Sequence, residues 1–153
     1  MIADIRGKDA VKTIFKEQSF DVVVDWIAFT PEHIETDIEL FRGRTGQYIF
    51  ISSASAYQTP PKKIPVTELT PLENPFWQYS RDKIACENLL KRVYKFDKFP
   101  ATIVRPSHTY YKMSLPFQER YTMIDRMRKG KKIIVHGDGT SLWVLTHSKD
   151  FAK

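Results

Sequence analysis

Cysteine is nearly absent from this chain: Cys86 stands alone in 153 residues. A single thiol cannot close an internal disulfide, so a small cross-linked secreted scaffold is excluded and a reducing cytoplasm is the expected compartment. The apolar neighbours of Cys86 make it a core residue rather than a reactive one. Glycine is scarce too, with six residues scattered along the chain. No G-x-x-G-x-x-G occurs, so no glycine-rich phosphate loop of that kind is present. No apolar run approaches the roughly 20 residues needed to span a bilayer, and the first residues are too charged for a signal peptide. Repeats and low-complexity tracts are missing. What remains is 42% hydrophobic residues with mixed charge, enough to bury a core instead of staying disordered, in about one domain's length.

Lysine and arginine exceed aspartate and glutamate by 24 to 18, a formal charge of +6. That balance suits a phosphate-bearing ligand and equally suits RNA. Arg126, Arg128, Lys129, Lys131 and Lys132 gather much of it in one stretch.

Hydrophobic periodicity supplies the elements. Residues 8–18 form an amphipathic helix with Val11, Ile14 and Phe15 on one face. Residues 21–28 are a β-branched apolar run, as expected for a strand buried on both faces of a parallel sheet. Thr30 and Pro31 start a helix whose buried stripe is Ile34, Ile38 and Phe41, completing a strand–helix–strand crossover. Residues 58–74 form a long proline-rich loop, of the kind that walls a site. Further on come a strand over 101–105, a helix over 117–129 ended by Gly130, and two short strands over 132–136 and 141–146 around a Gly137-Asp138-Gly139 turn.

The chemistry concentrates between Tyr48 and Lys83. Tyr48 to Ile51 reads as a buried strand ending at Ser52-Ser53. Asn74 reads as a helix cap and Pro75 as the first helical residue. The helix then carries Tyr79 and Lys83, four apart and therefore on one face. A strand-end serine facing a tyrosine–lysine pair is a proton-transfer constellation. A free phenol titrates at about 10, and a neighbouring ammonium stabilises the phenolate. A serine hydroxyl can hold the same substrate oxygen in line. A hydride leaving the same carbon needs a cofactor, because no side chain accepts one. The chain holds a second Tyr-x-x-x-Lys at Tyr94 and Lys98, so the spacing alone is weak. Tyr94 falls roughly 22 Å further along the helix at about 1.5 Å per residue, away from the strand carboxyl ends where open α/β sheets bind ligands.

These residues resemble the extended short-chain dehydrogenase/reductases, the NAD-dependent epimerase/dehydratase group. The family pattern is S-S-x-x-x-Y, then P-x-x-E-x-x-P, then Y-x-x-x-K. Here it reads Ser52-Ser53-Ala54-Ser55-Ala56-Tyr57, Pro65-Val66-Thr67-Glu68-Leu69-Thr70-Pro71, and Tyr79 to Lys83. The resemblance implies that Ser53 is the catalytic serine, with Ser55 its nearest rival and a substrate contact. It implies that Tyr79 transfers the proton, and that Lys83 tunes Tyr79 and holds the nicotinamide ribose of NAD or NADP. Asp4 and Ile5 match a strand-end pair laid against the adenine. Ala28 is the survivor of an H-L-A-A strand end whose backbone lies near the cofactor ribose. Arg105 to Tyr111 is similar to R-P-x-N-x-Y-G, which puts Pro106 and Ser107 beside the nicotinamide and His108, in place of asparagine, against substrate. Tyr111 replaces the final glycine, and Trp143 stands where sugar-nucleotide members carry a phosphate-binding arginine.

The fold implied is α/β, a partial Rossmann-type doubly wound parallel sheet truncated at both ends. Residues 1–115 would be the C-terminal part of the dinucleotide-binding domain, and 116–153 the start of a smaller substrate-binding lobe. The implied substrate is a sugar-like small molecule, with no metal. The implied homodimer forms through the helices over 31–44 and 75–96. The family's glycine-rich loop would precede Met1, so the chain is expected to be a fragment, and its 21–28 strand to have an edge open to another chain. Residues 120–153, notably Thr146-His147-Ser148-Lys149-Asp150-Phe151-Ala152, resemble the chloroplast stem-loop RNA-binding branch of the same superfamily. RNA is therefore a second expected partner, and non-catalytic binding the alternative function.

Overall fold

The computed structural model describes residues 4, 7–16, 18–116 and 120–153. The chain packs as two compact units, Met1–Arg105 and Pro106–Lys153, each described by itself.

In the first unit the order is α1 (Lys8–Ile14), β1 (Phe20–Asp25), α2 (Pro31–Phe41), β2 (Thr45–Ile51), a 3-10 turn at Ala54–Ala56, α3 (Gln78–Asp97) and β3 (Ala101–Val104). The strands pair in parallel in the order β1-β2-β3. This is the α/β, Rossmann-type arrangement expected. The core gathers Ile34, Ile38, Leu40 and Phe41 of α2, Cys86, Leu90 and Val93 of α3, and Tyr48 and Phe50 of β2. Alternation along β2 sends Tyr48 and Phe50 to this side. Gly46 is required where β2 meets β1, since a Cβ there would lie 2.9 Å from the Asp21 carbonyl oxygen.

Several boundaries differ from expectation, each for a local reason. The strand expected over 21–28 stops at Asp25, whose Oδ1 accepts the amides of Ile27 and Ala28 at 2.8 and 2.9 Å and so withdraws them from any ladder. It is not buried on both faces either. Val22 and Val24 are 46% and 43% exposed, because the core collects on the opposite face and β1 is an edge among the described residues. Helix α1 is shorter than expected, ending at Ile14, although Val11 is buried. Helix α2 begins at Pro31 as expected and ends at Phe41. Helix α3 begins at Gln78, three residues after Pro75. Asn74 still caps, but it caps a turn: its Oδ1 accepts from Phe76 N at 3.1 Å, while its amide reaches the Ser55 carbonyl at 2.9 Å.

The second unit holds β4 (His108–Tyr110), α4 (Tyr121–Arg128), β5 (Leu145–His147) and α5 (Ser148–Phe151). β4 and β5 pair in parallel. The helix expected over 117–129 is observed from Tyr121, and residues 117–119 lie outside the described residues. Gly130 follows it at a φ of 63°, a left-handed position that suits glycine after a helix. Residues 132–136 form no strand. The Lys132 carbonyl is taken by Arg126 Nε at 2.7 Å, and the Asp138 turn closes on Thr140.

Candidate active site

The site is built where β1 and β2 end. Lys83 sits on the buried face of α3 and is 1% exposed. Its Nζ donates to the carbonyl of Ala28, just past β1, at 2.7 Å and to the carbonyl of Ile51, the last residue of β2, at 2.8 Å. The ammonium lies 4.6 Å from the Phe50 ring centre, 5.0 Å from Phe29 and 5.7 Å from Tyr79, within cation–π range of all three. Burial pushes the lysine below its ordinary value, opposed by the nearby carboxylates of Asp25 and Glu87. An ammonium has three donors; the third has no acceptor among the described residues.

Tyr79 is half-buried. Its ring packs on Trp77 and Phe29, with centroids 4.7 and 6.3 Å away. Its hydroxyl makes no hydrogen bond among the described residues. Lys83 and Tyr79 therefore share one helix face, as their spacing demands.

Ser53 heads the 3-10 turn, and its Oγ accepts from Ser55 N at 3.2 Å. From there a chain of hydroxyls runs to α3. Ser53 Oγ meets Ser55 Oγ at 2.9 Å, Ser80 donates to Ser55 Oγ at 2.8 Å, and Asn74 donates to Ser80 Oγ at 3.3 Å. Ser80 directly follows Tyr79, so this chain ties the serine loop to the tyrosine's turn. Ser55 is engaged on both sides, and it holds Ser53 in place.

The remaining expected residues fall as follows. Ala28 is fully buried, with its carbonyl turned to Lys83. Asp4 is exposed, its carbonyl accepting from Gly7 N at 3.0 Å, and Ile5 lies outside the described residues. Pro106, Ser107 and His108 belong to the second unit. There Ser107 Oγ bonds Thr146 Oγ1, and His108 is exposed with its ring edge-on to Trp143 at 5.6 Å. Tyr94 lies near the end of α3, 58% exposed and far from this edge.

Sequence reasoning missed the buried polar frame beneath the site. Glu87 is fully buried. It accepts Ser52 Oγ at 2.7 Å and is gripped by Arg105 through Nε at 2.8 Å and Nη2 at 2.6 Å. Arg105 also donates to the Tyr57 hydroxyl at 3.0 Å. Burial would raise the Glu87 carboxyl, but the hydrogen bonds from Arg105 and Ser52 overturn that and hold it below the ordinary carboxylate value. The available signal was its position four residues after Lys83, on the same face. Asp25, a charge inside an apolar run, was the other signal not used.

The chain matches the NAD dependent epimerase/dehydratase family over residues 1–153. The chain belongs to that family. This family member is 28% identical over 118 residues to UDP-glucose 4-epimerase of Lactobacillus helveticus, covering 67% of this chain and 36% of that protein. Among solved structures it is similar to Pal from Bacillus thuringiensis, with 22% identity, a TM-score of 0.78, and coverage of 98% of this chain and 54% of that one. It is also similar to UDP-glucuronic acid 4-epimerase from Bacillus cereus in complex with UDP-glucuronic acid and NAD, with 21% identity, a TM-score of 0.77, and coverage of 97% and 51%. At these identities the structures speak to the fold. The chain thus spans little over a third of the curated relative and about half of the solved ones. Among the described residues no helix is long and apolar enough to cross a membrane.

Proposed function

We propose that the protein works as an NAD(P)-dependent epimerase, dehydratase or reductase on a hydroxyl or carbonyl of a sugar or nucleotide sugar. The observation that carries this reading is the meeting of Lys83 and Tyr79 on one helix face at the ends of β1 and β2, beside the serine chain from Ser53. Tyr79 Oη, which has no hydrogen-bond partner among the described residues, takes a proton from a substrate carbinol and returns it on reversal. The Lys83 cation stabilises the charge that develops there. Ser53 Oγ, steadied by Ser55, holds the substrate oxygen in line.

The third Lys83 donor suits a ribose hydroxyl of NAD or NADP. Asp4, Ile5 and Ala28 of the first unit, and separately Pro106 and Ser107 of the second, are the further cofactor contacts proposed. When bound, the nicotinamide would supply the hydride acceptor that side chains lack. Ser55 in the first unit, and separately His108 in the second, are the proposed substrate contacts. In this reading residues 1–115 belong to the dinucleotide-binding domain and 116–153 open the substrate lobe. The likeness to a UDP-glucose 4-epimerase supports a nucleotide sugar. Self-association through α2 and α3 and a reducing cytoplasmic compartment belong to the same proposal. Calorimetric titration of the protein with NAD(H) and NADP(H), then with UDP-sugars, is the test. Binding of one cofactor and turnover of a sugar nucleotide are expected; no binding of either cofactor refutes the reading.

The exposed Arg126, Arg128, Lys129, Lys131 and Lys132 favour a second reading, RNA binding without catalysis. Affinity for RNA that falls steeply with salt would support it, and no binding at low salt would remove it.

A further inference from the structure

Two acids are buried behind the lysine. Asp25 and Asp37 are 7% and 3% exposed, and Tyr48 between them is fully buried. The Tyr48 hydroxyl lies 2.7 Å from Asp25 Oδ2 and 2.8 Å from Asp37 Oδ2. A phenol has one hydrogen to donate. If it serves one carboxyl, the other contact is a hydrogen bond only when that carboxyl brings its own proton. Two ionised carboxylates held this close, away from water, would also repel strongly. The cluster therefore contains a carboxyl proton.

The partners of Asp25 decide where it sits. Its Oδ1 accepts the amides of Ile27 and Ala28 and its Oδ2 faces Tyr48. Three donors aimed at one carboxyl favour its charged form.

We propose that Asp37 carries the proton and Asp25 the charge, and that Asp25 is a positioning residue for Lys83. The path is short. The Asp37 acid donates to the Tyr48 hydroxyl, which donates to Asp25. Asp25 fixes the amides of Ile27 and Ala28, and the Ala28 carbonyl receives Lys83 Nζ at 2.7 Å. Asp25 also supplies a buried negative charge that opposes the effect of burial on the ammonium. The ionisable groups around Asp25 are Asp37 from α2, Tyr48 from β2, and Lys83 and Cys86 from α3, with Glu87 acting on the same lysine. Burial and the two acids raise Tyr48 far above the ordinary phenol value, so it relays a hydrogen bond and keeps its proton. This inference takes Lys83 as the lysine that serves Tyr79, but its readouts do not need turnover.

The experiment compares wild type, Asp37→Asn and Asp25→Asn by two spectroscopies of the chain. Infrared spectra at neutral pH read the carboxylic acid stretch. Titration of the lysine Cε methylene signals by NMR reads Lys83. Wild type should show a buried acid band. Asp37→Asn should lose it while leaving the Lys83 titration in place, since a side-chain amide replaces the acid as donor. Asp25→Asn should move the Lys83 titration to lower pH. Absence of the band in wild type overturns the inference, as does its persistence in Asp37→Asn. So does a Lys83 displacement in Asp37→Asn as large as that in Asp25→Asn. Should Asp25→Asn fail to fold, wild type and Asp37→Asn still decide: band lost and Lys83 unmoved supports the assignment, and any other pair of results overturns it. Correct spectra in a protein that binds neither NAD(H) nor NADP(H) would refute the proposed function and leave this inference standing.

Discussion

Replacing Glu87 by alanine should remove a large share of the stability of the first unit. Glu87 is wholly buried, and the Arg105 side chain that grips it is 13% exposed. The substitution strands that guanidinium in the interior and orphans the Ser52 hydroxyl. Removing one member of a buried ion pair costs about 3–5 kcal/mol, against a total of about 5–15 kcal/mol for a typical domain. The Lys91 contact adds little, because Lys91 is half exposed and such pairs are worth at most about 1 kcal/mol. Glu87→Gln keeps the volume and one acceptor and should cost about 1.5–3 kcal/mol, the value of hydrogen bonds to a charged group. Urea unfolding measures both as a lower midpoint at an unchanged slope. The pH dependence has a definite sign. The folded Glu87 carboxyl lies below its ordinary value of 4.5, so the unfolded chain binds its proton first as pH falls. Its contribution is full above that ordinary value and is lost as pH drops through the depressed folded value. Glu87→Gln should therefore flatten the acid limb of stability. A Glu87→Ala midpoint equivalent to less than about 0.5 kcal/mol, the range of ordinary surface changes, would refute the reasoning.

Two other outcomes follow from single residues and a third from the β1 edge. Gly46→Ala should lower stability by about 1–3 kcal/mol, as overpacking does, because its Cβ would press on the Asp21 carbonyl; an unchanged urea midpoint would contradict it. Cys86 is fully buried, and burial raises its thiol to about 12, so iodoacetamide should label it only in denaturant. The β1 edge with exposed Val22 and Val24 should associate with another chain; sedimentation showing a monomer at all concentrations, with β1 amides exchanging freely, would contradict that.

What was legible in the sequence was local. The apolar run from Tyr48 to Ile51 and the four-residue spacing of Tyr79 and Lys83 each report on neighbours within a turn or a strand, and both were found as expected. The partners of Lys83 were not legible, since Ala28 and Ile51 are 55 and 32 residues away and meet it only once the parallel sheet has formed. Side chains that compete with the backbone explain the misplaced ends. Asp25 stops β1 by taking two amides, and Asn74 caps a turn four residues before α3 begins. Residues 132–136 hold the β-branched run Ile133-Ile134-Val135 that reads as a strand, yet Arg126 claims the Lys132 carbonyl. Periodicity describes what a segment can do, and the partner on offer decides whether it does so.

In the proposed reaction Tyr79 moves the proton beside Lys83. The turnover of Tyr79→Phe beside wild type, with NAD(H) affinity measured on both by calorimetry, is the decisive measurement. A fall in kcat of about 10²–10⁴-fold is expected, the range for losing a general acid–base group, with cofactor affinity unchanged because phenylalanine preserves the ring packing on Phe29 and Trp77. Turnover equal to wild type would contradict it.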